Sequence, residues 1–203
     1  MKLLGYQWLL LIVILTGILA QYLSLKIGFC WFKITPIMCF ILYFWILFNL
    51  IICFWELLII EHRDKLQYPT QNFYLTQYSI NDLFSTKFWI EGWNQYIKAD
   101  PRYGDPTSPV FRYELFNVLV SCIPSVYIIY HLVSPEASIK QRELYNVFFF
   151  YSLLQLAGVF FYFESYFRTY GTKYIGWNRK EETTYLLISC LWILFPLYLI
   201  LPL

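Results

Sequence analysis

The sequence predicts an all-α membrane protein with five transmembrane helices and an amphipathic surface helix between the second and the third. Of its 203 residues, 59% are hydrophobic and only 14% are charged, which is more apolar surface than a soluble domain of this size can bury. Apolar runs near or above the ~20 residues needed to cross a bilayer recur along the chain. Because backbone groups in lipid must be hydrogen-bonded within their own segment, each run is predicted to be an α-helix.

The predicted spans are separated by polar or turn-forming segments. In order they are Leu3–Phe29, Ile34–Ile60, Val110–Val133, Leu144–Phe167 and Thr184–Leu203. The first is predicted to be a membrane helix, because it is too long for the apolar core of a signal peptide and lacks a small-x-small cleavage site. The third follows Ser108-Pro109, a helix cap followed by a proline at the first helical position.

The surface helix is predicted within residues 61–108, the longest polar stretch of the chain. The segment Ser79-Ile80-Asn81-Asp82 has the composition of a helix start. Apolar residues then recur at three- and four-residue spacing: Phe84, Phe88, Trp89, Trp93, Tyr96 and Ile97. This spacing predicts an amphipathic helix that lies on the membrane surface and ends at Asp100-Pro101.

Composition also argues against several kinds of partner. A net charge of +2 is too small to indicate nucleic-acid binding. The five cysteines lie in or at the ends of apolar spans without C-x-x-C spacing, and His62 and His131 belong to no metal-ligand constellation. The sequence therefore predicts no metal site, no disulfide and no cofactor.

One motif is specific enough to indicate a family. Residues 93–103 are WNQYIKADPRY, which follows the pattern W-x-x-Y-x-K-x-D-x-R-Y, and Glu114 lies inside the next span. This pattern resembles the EXPERA family, which contains the sterol Δ8-Δ7 isomerase called emopamil-binding protein and the sigma-2 receptor group. Shorter matches occur at Gln155, Gly158, Tyr162 and Phe163, and at Leu191-Trp192-x-Leu194-x-Pro196.

The resemblance covers residues 40–200 in outline and implies a domain organisation. Residues 34–203 are expected to form a four-helix EXPERA-like domain, and residues 1–33 an additional transmembrane helix and a short loop.

The distribution of positive charge and the family resemblance each predict how the chain is oriented in the membrane. Eleven of the 15 Lys and Arg residues lie on the side of the long loop, which predicts a cytosolic or mitochondrial-matrix loop. The family's isomerases place that loop on the lumenal side, so the two arguments disagree.

The resemblance implies acid–base chemistry, but most of the groups that perform it in the family are replaced. Glu114 and Trp192 match a family glutamate and tryptophan. The family's histidine falls on Asn49 and its helix-mate glutamate on Cys53; shifting the alignment to use Glu56 puts Ile52 at the histidine position. Val159 and Ser189 stand at the later acidic and asparagine positions.

The candidate site residues follow from these matches. Glu114, Glu56 and Asn49 are the candidate catalytic groups. The candidate ligand-binding residues are Trp93, Tyr96, Gln155, Tyr162, Ser189 and Trp192. Each has a structural alternative. Glu114 can pair with Arg112, or with Arg102 and Tyr103; Asn49 can bond between helices; the aromatic residues can be interface anchors or core.

Two functions remain open. The first is a catalytically degenerate EXPERA protein that binds a sterol or another membrane lipid, or that serves as a subunit of a larger membrane complex. The alternative is an active sterol isomerase with a site rearranged around the candidate catalytic groups. The sequence predicts an integral membrane protein of the mitochondrial inner membrane or the endoplasmic reticulum, with other membrane subunits as partners.

Overall fold

The computed structural model of the chain describes residues 2–27, 35–133, 141–169, 187 and 189–200, and the described part is all-α as predicted. Its helices are α1 Gly5–Ile27, α2 Pro36–Glu61, α3 Thr86–Tyr96, α4 Val110–Val133, α5 Gln141–Thr169 and α6 Leu191–Ile200. Within this part, α1, α2, α4 and α5 are long and apolar enough to cross a membrane. The predicted fifth span, Thr184–Leu203, lies partly outside the described residues. Within the described residues, α6 forms part of this span.

Helix α2 is the centre of the bundle. It begins at a Thr35 cap, whose hydroxyl accepts a bond from the Met38 amide, with Pro36 in the first turn. It packs against α1 and α4, while α5 packs against α4 and α6. Its Trp45 ring stacks on Phe195 at 4.5 Å between ring centroids. The inner face of α2 therefore contacts most of the helices that surround the bundle interior.

The first residues of the predicted first span form a short strand, which the sequence did not predict. Strand β1, Lys2–Leu4, pairs antiparallel with β2, Gln77–Ser79, so α1 begins only at Gly5. The indole nitrogen of Trp8 donates to the Tyr78 carbonyl oxygen at 2.9 Å. These bonds fasten the N-terminal helix to the loop that follows α2.

The glycine at this junction is required by close packing. Its amide donates to the Thr76 carbonyl oxygen at 2.9 Å, and a Cβ at Gly5 would lie 2.3 Å from the Phe73 carbonyl oxygen. We expect Gly5→Ala to lower the free energy of unfolding by about 1–3 kcal/mol, the usual cost of overpacking. Thermal unfolding in detergent measures this.

The matched control is Gly17→Ala within α1, where an added Cβ meets nothing within 4 Å. Alanine in a helix interior is favoured over glycine by about 0.5–1 kcal/mol, so this variant should be neutral or slightly stabilised. An equal loss of stability in both variants would contradict the packing role of Gly5.

The predicted helix start at residues 79–82 exists, but it begins a 3-10 helix, Ile80–Phe84, and α3 begins only at Thr86. The Ser79 hydroxyl and amide donate to the Asp82 carboxylate at 2.7 and 2.6 Å. These two bonds lower the pKa of Asp82 below its usual range, and the bond from the hydroxyl has the larger effect. A local capping box thus forms as the sequence indicates, although the regular helix starts later.

Helix α3 packs on the bundle instead of standing free of it. Phe88, Trp89 and Trp93 are buried, whereas Phe84 is 88% exposed. The Trp55 indole nitrogen of α2 donates to the Trp89 carbonyl oxygen at 2.7 Å. Helix α3 therefore covers the end of the bundle at which α2 ends and α4 begins.

Candidate functional site

A cavity lies beneath α3, between α2, α4, α5 and the residues that lead into α6. Its volume is about 390 Å³, within the range of about 300–1,000 Å³ typical of small-molecule sites. Its lining is mostly apolar and aromatic, with two carboxyl groups. Of the predicted site residues, those on its wall are Glu56, Glu114, Trp93, Tyr96, Tyr162, Ser189 and Trp192.

Glu114 faces this cavity from the second turn of α4. Only 7% of the residue is exposed, and the Tyr103 hydroxyl donates to its carboxylate. Glu114 therefore points into the bundle and has a polar partner there. Of the partners considered from the sequence, Tyr103 makes the hydrogen bond, whereas Arg112 is exposed.

Glu56 reaches the same cavity from α2. It is 4% exposed, and the Asn117 side-chain amide donates to both of its carboxylate oxygens at 2.7 and 2.9 Å. Glu56 and Glu114 therefore place two carboxyl groups on the wall of one cavity. Two carboxyl groups in an otherwise apolar cavity can exchange hydrogen bonds with one polar group of a ligand.

Asn117 is a functional candidate that sequence reasoning missed. It lies three residues after Glu114 on α4, and positions i and i+3 share one face of a helix. That spacing was a usable signal. Asn117 lines the cavity and fixes the position of the Glu56 carboxylate.

Asn49 and Gln155 lie in a hydrogen-bonded cluster deeper in the bundle and do not contribute to the described cavity wall. The Asn49 amide nitrogen donates to the Trp45 carbonyl oxygen at 2.9 Å, and its amide oxygen accepts from Gln155 at 3.0 Å. The structure therefore places Asn49 in a bond between α2 and α5. A ligand in the cavity does not meet its amide.

Gln155 is the centre of this cluster. Its amide nitrogen lies within bonding distance of Asn49, Ser121 and Tyr151, and its amide oxygen accepts from the Trp45 indole at 3.0 Å. The Ser121 hydroxyl in turn donates to the Asn117 side chain at 3.3 Å. The cluster therefore connects to Asn117, which holds Glu56 in place.

We expect Gln155→Leu to lower the free energy of unfolding by about 1–3 kcal/mol, because it leaves buried polar partners unsatisfied. Thermal unfolding in detergent measures the loss. Gln21→Leu on α1 is the control, since Gln21 is exposed on a helix predicted to face lipid. A Gln155→Leu variant as stable as Gln21→Leu would contradict the role of the cluster.

The segment after α3 is anchored by a buried ion pair. Asp100 and Arg102 are 0% and 1% exposed, and the Arg102 Nη2 lies 2.6 Å from the Asp100 Oδ2. On α5, Tyr162 donates to Asp100, and the Ser165 hydroxyl accepts from Arg102 Nη1 at 3.1 Å. Side chains of α5 surround the pair, so this motif is not a solvated turn.

The guanidinium of Arg102 also lies over two aromatic rings. Its central carbon is 4.8 Å from the centroid of the Tyr162 ring and 5.3 Å from that of Tyr166, a favourable cation–π geometry. The pair therefore joins the turn after α3 to α5. Since Tyr162 also lines the cavity, the ion pair also fixes the position of part of the cavity wall.

Aromatic rings enclose the carboxyl pair from the α3 side. The Trp93 ring packs edge-to-face on Trp55 and Tyr103, with centroids 5.2 and 5.3 Å apart. Chemically, the site offers two carboxyl groups, an amide and π-faces in a cavity that is otherwise apolar. Such a site suits a largely apolar molecule that carries one polar group.

The fold and the site together define an integral membrane protein whose helical bundle encloses a ligand-sized cavity. The sequence profile of EXPERA, the expanded EBP superfamily, matches residues 88–202, which is more than half of the chain. The chain belongs to this family. Comparisons with curated proteins and with solved structures gave no match.

The matched range begins in α3, after the residues that contribute Glu56 and the rest of α2. The domain boundary predicted at residues 33 and 34 stays a prediction. The matched range contains the cavity residues of α3, α4, α5 and α6. The 87 residues before it contain the other cavity residues, including Glu56.

Proposed function

We propose that the protein binds a lipid of the sterol class in this cavity, as a catalytically degenerate EXPERA protein. The observation that carries the proposal is the buried Glu56–Glu114 pair inside an apolar, aromatic-walled cavity. A hydroxyl group can donate to a carboxylate and accept from a carboxylic acid, so the pair is matched to a neutral sterol hydroxyl. The remaining wall suits the fused apolar rings.

The same geometry argues against isomerisation. Moving a ring double bond requires one group that gives a proton and another that takes one, each placed at a different carbon. Asn49 stands at the family's histidine position and is bonded to Trp45 and Gln155, and Val159 presents only hydrocarbon to the cavity.

One observation favours the alternative, an active isomerase with a rearranged site. Glu56 and Glu114, predicted independently as catalytic candidates, meet on one cavity wall together with Trp192. Two carboxyl groups and a tryptophan are suitable groups for proton transfer and cation stabilisation. An activity assay separates the two functions.

We expect the chain to leave Δ8 sterols unconverted when it is expressed in cells that lack sterol Δ8-Δ7 isomerase. A single acid–base group contributes about 10²- to 10⁴-fold to a rate, and the family's histidine is absent from α2. Mass spectrometry of the sterols measures conversion. Activity near that of a normal family enzyme, lost in Glu114→Gln but kept in the exposed Glu164→Gln, would establish the isomerase.

The membrane arrangement is part of the proposal. Five spans are supported by the apolar composition of Thr184–Leu203 and by α6 within it, and a surface position for α3 by its place at the end of α2. Large apolar side chains such as Leu10, Phe150 and Phe160 are exposed on the bundle and suit lipid or neighbouring subunits. The mitochondrial inner membrane and the endoplasmic reticulum both remain predictions for the location.

The subunit role predicts a separate result, which concerns the proteins that copurify with the chain. If the protein belongs to a larger membrane complex, other membrane proteins will accompany it in fixed stoichiometry after extraction in mild detergent. A monomer or dimer that carries only lipid would oppose the subunit role and leave the binding proposal intact.

A further inference from the structure

The cavity also reaches the N-terminal helix. Leu9 of α1, Tyr74 of the turn before β2 and Gly92 of α3 line this region together with Trp55. Leu9 and Trp55 pack in the hydrophobic cluster around Phe73, and Trp55 also packs in the neighbouring cluster that includes Tyr162 of α5. We call this region, defined by Leu9, Trp55, Tyr74 and Gly92, the α1 branch.

The α1 branch is bounded by tight packing on one side and by Tyr74 on the other. A Cβ on Gly92 would lie 3.0 Å from the Trp55 ring and 3.3 Å from the Phe73 ring, so the α3 backbone itself forms that wall. Tyr74 is 47% exposed and also lines the cavity. It therefore stands between the α1 branch and the outside of the protein.

The side chains of the α1 branch are hydrocarbon and aromatic, apart from the Tyr74 hydroxyl. The groups that can orient a polar ligand atom, Glu56, Glu114 and Asn117, lie elsewhere on the cavity wall, on α2 and α4. A ligand with its polar group at the carboxyl pair would place only apolar atoms in the α1 branch.

We propose that the α1 branch holds the hydrocarbon tail of the ligand, and that Leu9 and Tyr74 determine which tails are accepted. This inference rests on the proposed function, because it presupposes a polar end at the carboxyl pair. Both residues precede the part of the chain that matches the family profile.

The test compares two probes that share a ring system and a 3β-hydroxyl: cholesterol, with its alkyl tail, and 5-androsten-3β-ol, without it. Each buried methylene contributes about fourfold in affinity, so the wild-type protein should prefer cholesterol at least tenfold. Leu9→Trp fills the α1 branch and should reduce this ratio to near one, chiefly by weakening cholesterol binding. The ratio of the two dissociation constants is the readout.

The control is Leu10→Trp, the same change at the neighbouring position, which is 56% exposed and should keep the wild-type ratio. If Leu9→Trp does not fold, Tyr74→Trp with Leu75→Trp as its exposed control provides the same comparison. Binding of both probes with a ratio that Leu9→Trp or Tyr74→Trp leaves unchanged would overturn the tail site alone. Failure of the wild-type protein to bind either probe would overturn the proposed function and, with it, this inference.

Discussion

Replacing Asp100 with alanine is expected to lower the free energy of unfolding by about 3–5 kcal/mol, the cost of breaking a buried ion pair from one side. The variant leaves the Arg102 guanidinium in an interior position that is 1% exposed. The Ser165 hydroxyl and the two tyrosine rings that also contact this guanidinium carry no compensating charge. Thermal and chemical unfolding in detergent measure the loss.

Arg168→Ala is the matched control, because Arg168 forms the exposed ion pair with Glu164 on α5, with side chains 78% and 38% exposed. Exposed pairs contribute at most about 1 kcal/mol. Replacing both Asp100 and Arg102 with apolar residues should recover much of the lost stability, since no charge is then left unpaired. Similar effects of Asp100→Ala and Arg168→Ala would contradict the role of the buried pair.

Replacing both carboxyl groups of the cavity, as Glu56→Gln with Glu114→Gln, should weaken sterol binding by about 10- to 150-fold. A hydrogen bond to a charged group contributes about 1.5–3 kcal/mol, and the double variant removes the charged acceptor. Glutamine has the shape of protonated glutamate, so each single variant should keep the fold and show a smaller loss. Equilibrium binding of a labelled sterol measures the effect.

The control for this change is Glu164→Gln, which alters a carboxyl group outside the described cavity wall. Its affinity should equal that of the wild-type protein. If the double variant binds sterol as tightly as Glu164→Gln does, the ligand's polar group is not at the carboxyl pair.

The helices were the most predictable part of this protein. The predicted third span, Val110–Val133, agrees with α4 at both ends, because a cap, a proline and an apolar run all indicate the same helix. The Lys2–Leu4 strand was missed, because it forms by hydrogen bonding to residues 77–79, far along the chain. The local sequence of three residues does not indicate such a pairing. The first helix is therefore shorter at its start than its hydropathy suggests.

The site was predictable as a set of residues but not as an arrangement. Glu56 and Glu114 were singled out from the family resemblance, yet their meeting on one cavity wall depends on how α2 packs against α4. Asn49 was singled out because it falls on the family's histidine position, and it lies in the Gln155 cluster instead. Sequence periodicity identifies the inner face of a helix, and interhelical packing decides which neighbour that face meets.

The burial of Asp100 and Arg102 shows a similar limit. Two opposite charges in a polar loop ordinarily indicate a solvated turn. Here Tyr162 and Ser165, about sixty residues later in the chain, supply the partners that make burial tolerable. Local sequence contains no information about such distant partners.

The most direct test of the account is photo-crosslinking with a sterol that carries a photoreactive group, in membranes that contain the protein. The account predicts saturable labelling of cavity residues such as Trp93 and Tyr96, competed by unlabelled sterol. Val159→Trp, which fills the cavity from α5, should abolish it while the protein stays folded. Labelling confined to the exposed faces of the spans, and unchanged in Val159→Trp, would contradict sterol binding in the cavity.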